Sequence, residues 1–363
     1  MCSKKIFYPL NSLDENRIST EKYYEFIRQI KDIEFIDERF TINSKIAKTF
    51  LPTNFKIKLT KYLLSSSIYN TKDFDSVHIL EQSNLYLVKN YLNKCIYATI
   101  HDIMPILAYD KKIKGYLYPN NPLFFKYNIK QLKYVNKIIT VSNKTKLDLL
   151  EYMQFDNTNV HVIHNPVNPS ITKIANESLE TFYNDYNINP YSDKIIFVGL
   201  ARNKNLYFAL KIFEKLLTTF PELELHLVGS KLNIDKKSGL LIQKYINNIF
   251  IHHNINDLTL SYLYSMSKIL LFPSFYEGFG LPLIEAMKCG SVVVASDRGA
   301  IPEVVDDAGI LLSLDDFDSF ILLITKLLTD KEFYEKYQIR GYNRSNLFSI
   351  NNFILQYTKL YNV

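Results

Sequence analysis

Short runs of β-branched and aromatic residues alternate with helix-period segments along nearly the whole chain, which restricts it to layered α/β architectures built on parallel sheets. In the second half the candidate strands are KIIFVG (194–199), LELHLVG (223–229), NIFIHH (248–253), ILLFP (269–273), SVVVAS (291–296) and GILLSL (309–314). Between the first two, Leu206, Leu210, Phe213 and Leu217 recur at helical spacing, so one face of a helix is buried and a βαβ unit is complete. Repetition of that unit gives a doubly wound sheet. The first half alternates similarly through KIFYPL, IEFIDERF, DSVHILE (75–81), CIYATIHD (95–102), KIITVS (137–142) and VHVIH (160–164). At 363 residues and 47% hydrophobic content the chain has material for two cores. HNPVNPSITKIANESLE, with two prolines and several Asn and Ser, reads as the connector. The expected division is a Rossmann-like domain over 1–168, a linker over 169–193, a second Rossmann-like domain over 194–345, and a C-terminal helix over 346–363 returning to the first domain. Two such domains imply a cleft, lined by loops at the carboxyl ends of both sheets.

Other classes drop out on composition. The longest apolar stretches, such as FILLI, fall far short of the roughly 18–20 residues that cross a bilayer. The opening MCSKKIFYPLNSLDEN does not read as a secretory leader, and the expectation is a cytoplasmic protein. Cys2, Cys95 and Cys289 are too few for a disulfide framework or a four-ligand zinc site. The net charge of +6 is uneven: residues 1–190 hold 25 basic and 19 acidic side chains, against 18 and 18 in 191–363. Arg39–Lys72 carries seven basic residues and no acid, and Lys111–Leu147 nine lysines and no acid, a field suited to an anionic partner. No G-x-G-x-x-G or Walker motif occurs, which argues against dehydrogenases and kinases, and no nucleic-acid reading module accompanies the charge.

The most informative segment is FPSFYEGFGLPLIEAMKCG, residues 272–290, between two hydrophobic strands. Gly278 and Gly280 permit a tight turn and Pro282 suits a first helical turn, so a helix is expected to begin near Leu281. The amides around Phe279 to Leu283 would then sit at the positive end of a helix dipole, a site for phosphate or diphosphate. Glu277 and Glu285, eight positions apart, bracket those amides. Ionised carboxylates accept hydrogen bonds from vicinal hydroxyls, and a diphosphate between two diol acceptors describes a nucleotide sugar.

EGFGLPLIE followed by AMKCGSVVVASDRGAIPEVVDDAG resembles the retaining glycosyltransferases of family 4, the group 1 glycosyl transferases. VGLARNKNL and LELHLVG extend the likeness over about 195–315, and DSVHIL, ATIHDIMP and IITVSNKTKLDLL carry it thinly into the first half. The resemblance implies the GT-B fold, two Rossmann-like domains facing across a cleft, and transfer of a sugar from a nucleoside diphosphate with retention. It further implies that Glu285 holds the donor ribose and Glu277 the donor sugar hydroxyls, with Gly278, Phe279, Gly280 and Leu281 lining the diphosphate. In the loop after KIIFVG, where the spacing is compressed relative to the family pattern, Lys204 and Arg202 would neutralise the leaving group, with Gly199 allowing close backbone approach. His101, in an His-Asp followed by a Pro-containing loop, would lie beside the donor sugar and position or polarise it. No cofactor or metal is expected beyond the sugar nucleotide, and the acceptor is expected to be a glycan or polyprenyl-linked glycan of cell-surface polysaccharide or glycoprotein assembly. Lys45, Lys48, Lys56, Lys58 and Lys61, interleaved with apolar residues, are expected to lie on anionic lipid at the inner membrane face.

Two features depart from the family: KIFYPLNSLDENR lacks the glycine-rich loop that often follows the first strand, and HNPVN stands where Asn-Gly-Val-Asp is usual. An epimerase or hydrolase of the same fold, or a non-catalytic sugar-nucleotide subunit, are the rival readings. Asp73-Phe74-Asp75 and Asp316-Phe317-Asp318 spell Asp-x-Asp, but neither is placed at a strand end. His161 and His164 face opposite sides of a strand and are poor co-ligands, whereas His252 and His253 adjoin a strand end and are expected beside a nucleotide base.

Overall fold

The computed structural model describes residues 4–11, 18–31, 33–40, 74–118, 121–154, 159–186, 188–230 and 234–362. The basic stretch 41–72, and with it the five lysines expected on lipid, lies outside the described residues. The chain divides into two compact units. The first comprises Met1–Asp110, Tyr118–His164 and Phe353–Val363; the second comprises Lys111–Leu117 and Asn165–Asn352.

The first unit is built on six parallel strands, β1 (Lys4–Asn11), β2 (Ile33–Phe40), β3 (Ser76–Ile79), β4 (Cys95–Ile100), β5 (Lys137–Thr140) and β6 (Val160–Val162). Their order in the sheet is β2-β1-β3-β4-β5-β6. Strands covered on both faces need apolar residues on both, and Val77, Ile79, Ile96, Ala98, Ile138 and Ile139 are all buried. The helix Ile350–Tyr361 packs into this unit. Its Tyr361 hydroxyl lies 3.0 Å from that of Tyr8 and 2.6 Å from His78 Nδ1, while Tyr357 lies 2.6 Å from the Tyr23 hydroxyl.

The second unit carries β7 (Lys194–Val198), β8 (Glu224–Val228), β9 (Ile249–His252), β10 (Ile269–Phe272), β11 (Val292–Ser296) and β12 (Ile310–Leu312). All neighbours are parallel and the order is β12-β11-β10-β7-β8-β9. Progress along the sheet therefore reverses between β7 and β10, and at such a switch point the loops beyond two adjacent carboxyl ends diverge and leave room for a ligand. The helix Leu206–Leu216 buries Leu206, Leu210, Phe213 and Leu216, with Leu217 only half covered beyond the last turn. Residues 169–193, read above as a linker, contain the helix Asn176–Tyr186 and belong to this unit. The amides of Thr172 and Ile174 donate to Ser261 Oγ (3.2 Å) and Ser265 Oγ (2.9 Å), and the Phe182 ring stacks on Tyr262 at 4.5 Å.

Candidate active site

Two loops meet at the switch point. The first leaves β7 through Gly199, whose φ of +90° favours glycine and whose absent Cβ would stand 3.1 Å from Lys204 Cε. It turns through a short 3-10 segment, Arg202–Lys204, and enters the helix Leu206–Leu216. The second loop leaves β10 and reaches the helix Leu281–Cys289 through Gly280, its N-cap, at φ +101°. Phe275 N–H donates to Asn203 O at 2.8 Å and ties the loops together.

Their side chains converge. Lys204 Nζ lies 2.8 Å from Glu277 Oε1, both side chains largely buried at 15% and 11% exposure, and 4.5 Å from the centre of the Phe272 ring. Asn203 Nδ2 donates to Glu277 Oε1 (3.4 Å) and to Tyr276 O (3.3 Å). From the far side Ala300 N–H donates to Glu277 O at 2.9 Å, and Gly299, at φ +59°, is pressed so close that a Cβ would stand 2.5 Å from that oxygen. Glu277 is thus held at its backbone by the loop after β11 and at its carboxylate by the loop after β7. Arg202, on the same 3-10 segment, is exposed.

At the helix start Pro282 lacks an N–H and Leu283 N–H donates to Gly280 O at 3.0 Å, which narrows the expected donors to those before Pro282. The Phe279 ring is buried edge-on against Phe348 at 5.6 Å, which leaves Phe279 its backbone to offer. Glu285, one turn in and 9% exposed, accepts from the Tyr264 hydroxyl at 3.1 Å. Burial, reinforced by the Glu285 charge, holds the Tyr264 hydroxyl well above its ordinary pKa, so it stays a donor.

His101 is built into the first unit at the end of β4. Its Nε2 lies 2.9 Å from Leu80 O, an atom that can only accept, so Nε2 carries a proton; its backbone N–H donates to Gln82 Oε1 at 3.1 Å, and Tyr23 packs edge-on against the ring. Asp75 Oδ2 accepts from Lys5 N–H, and Asp316 caps the helix Phe317–Thr329 through Ser319; Asp73 lies outside the described residues. His252 Nε2 pairs with His226 Nδ1 at 3.0 Å, and His253 Nδ1 with Gly229 O at 2.7 Å. The sequence reading did not single out Asn203, Gly299, Phe272 or Tyr264. Asn203 sits between the two basic residues it named, and Gly299 lies within SDRGAIPEVV.

Comparison with known proteins resolves the family. Residues 180–344 match the family described as Glycosyl transferases group 1, and residues 31–171 match Glycosyltransferase Family 4. The chain belongs to the family 4 glycosyltransferases. Among relatives of this family 4 chain, the O-antigen chain mannosyltransferase B of Escherichia coli is 40% identical over 107 residues, 30% of this chain and 28% of the relative. The chain spans 28–31% of the length of the first curated relatives it matches. The fold matches sucrose-phosphate synthase from Thermosynechococcus elongatus with a TM-score of 0.79 at 17% identity, covering 99% of this chain and 98% of the other. It also matches Anabaena Alr3699/HepE, solved with UDP-glucose, with a TM-score of 0.77 at 14% identity and 99% coverage of both chains. Both sheets have the GT-B architecture. Among the described residues no helix is long and apolar enough to cross a membrane.

Proposed function

We propose that this chain is a retaining hexosyltransferase that moves a sugar from a nucleoside diphosphate to a hydroxyl of a glycan or lipid-linked glycan in cell-surface polysaccharide assembly. The observation that carries the reading is the Lys204–Glu277 pair at the switch point, beside a helix that starts on Gly280. The diphosphate rests against the backbone of Gly278, Phe279, Gly280 and Leu281, where helix-end amides favour negative charge. Lys204 and Arg202 face it and stabilise the charge that grows as the glycosidic bond breaks, an effect worth about 3 kcal/mol for one well-placed group in a dry site. Glu277, fixed by Asn203 and Ala300, accepts from the sugar hydroxyls, and Glu285 accepts from the ribose diol. His101 orients or polarises the sugar. The acceptor hydroxyl attacks the face from which the diphosphate leaves, so neither carboxylate acts as the nucleophile of a glycosidase pair. No metal enters this scheme.

The test is a thermal-shift panel of UDP-, GDP- and ADP-sugars, mannose donors first because an O-antigen mannosyltransferase is among the relatives, followed by product mass on lipid-linked acceptors. Glu285→Ala is expected to weaken donor binding about tenfold, the loss of about 1.4 kcal/mol. Conversion of donor alone to a second sugar nucleotide, or binding of none, overturns the proposal. The basic stretch 41–72 is proposed to hold the enzyme at the inner membrane face; co-sedimentation with anionic vesicles at low salt, lost at high salt, checks it.

A further inference from the structure

A cavity of about 440 Å³ opens within the second unit, lined in part by the loops that carry the ion pair, a volume within the roughly 300–1,000 Å³ of small-molecule sites. Two of its lining residues belong to the loops that build the donor site: Asn205 follows Lys204, and Phe275 precedes Glu277 by two positions. Phe275 forms a fixed wall, because Gly115, at φ +81°, leaves only 2.9 Å between its missing Cβ and that ring, and Tyr116 stacks on it at 5.7 Å. Tyr207, 43% exposed, and Phe317 add further aromatic surface.

The charges around this surface cancel. Lys114 Nζ lies 2.6 Å from Asp315 Oδ2, Lys211 pairs with Glu214, and Arg298 lies 3.3 Å from Asp297 and 3.8 Å from Asp315. A site meant for a phosphate would leave cations unmatched; this one does not. Arg298 Nε is itself buried, so what this side chain, 27% exposed, offers the cavity is its terminal nitrogens, one of them 3.8 Å from Asp315 Oδ2. Aromatic faces that cover C–H surfaces, together with a guanidinium and a carboxylate that pair with hydroxyls, are what a pyranose ring requires.

Resting on the transferase reading above, we infer that this cavity is an outer acceptor subsite, taking a pyranose unit of the growing glycan beyond the one that reacts. The test uses saturation-transfer NMR on the full chain, with a mannose tetrasaccharide and a glucose tetrasaccharide as probes and a thermal shift with the sugar nucleotide as a parallel reading. Transfer to at least one tetrasaccharide is expected, reduced roughly tenfold in Tyr207→Ala and in Arg298→Gln, with the donor shift unchanged in both. The unchanged shift shows that the variants fold. Absence of transfer from both probes, transfer that survives both substitutions, or displacement of the sugar by pyrophosphate each overturns the subsite. Failure of the wild type to take up any donor sinks the transferase reading, while the oligosaccharide signal still decides the cavity.

Discussion

Lys204 and Glu277 each leave the other exposed to loss, because both are mostly withdrawn from water and neither carries its charge cheaply alone. Glu277→Gln keeps the shape and leaves the Lys204 cation over the Phe272 ring without its counter-charge; Lys204→Met leaves the carboxylate with Asn203. Each single change is expected to lower stability by about 1–3 kcal/mol, and the double variant by less than the sum, with a coupling of at least 1 kcal/mol in urea unfolding. Additive losses would mean the pair does not act as one. In turnover, Lys204→Ala is expected to lower kcat by about 100-fold while the donor concentration for half-saturation moves much less, since charge on the leaving group develops mainly in the transition state. Gly299→Ala is a harsher case: its Cβ would stand 2.5 Å from Glu277 O and 2.7 Å from Glu277 N, atoms of backbone that cannot swing aside. A loss above about 2 kcal/mol is expected in thermal unfolding, together with lost donor uptake, and full retention of both would contradict the packing described.

The helix Leu281–Cys289 shows how far an element can be read before its neighbours are known. Gly280 and Pro282 were legible as a start; the stop was not read, although Gly290 closes the helix at φ +94° as Gly280 opens it at +101°. Gly280→Ala would place a Cβ 2.7 Å from Leu283 Cδ1 in a backbone region that alanine avoids. A cost of about 1–2 kcal/mol and a loss of donor affinity larger than that of Pro282→Ala are expected in paired thermal-shift measurements. The central strands among the twelve described were legible because apolar runs such as Ile269–Phe272 and Val292–Ser296, buried throughout, leave little else to be. GILLSL nevertheless shrinks to Ile310–Leu312 at the sheet edge, where, among the described residues, β11 alone pairs with it. The helix Asn176–Tyr186 escaped because its buried stripe is Leu179 and Phe182, two residues and no repeat. The meeting of Lys204 with Glu277 was legible only through likeness to a family, since 73 residues separate them and nothing local predicts that β7 and β10 lie side by side.

At the scale of the molecule, the first unit is closed by the last residues of the chain, and what they close over is titratable. His78 is fully buried with Nδ1 2.6 Å from the Tyr361 hydroxyl and Nε2 2.9 Å from Thr99 Oγ1. Burial, with His101 adding to it, lowers its pKa to about 3; in the second unit burial, then His226 and His253, lower that of His252 to about 4. Both imidazoles are therefore neutral in the folded protein at pH values where the unfolded chain, with an ordinary histidine pKa near 6.5, already binds a proton. Below that value the unfolded state holds more protons, so stability falls as pH drops from about 6.5 toward 3, and above it the contribution is constant. For His78 alone the loss between pH 7 and pH 4.5 reaches at most about 3 kcal/mol, at about 1.4 kcal/mol per pH unit. His78→Gln keeps groups able to meet the Tyr361 and Thr99 hydroxyls but cannot take up the proton. The variant is expected to be less stable than the wild type at pH 7 and to lose less on acidification, so that the two urea midpoints approach each other at pH 4.5. Parallel midpoints across that range would place the acid sensitivity elsewhere, in carboxylates whose ion pairs fail, and would remove His78 and the terminal helix over it from any part in it.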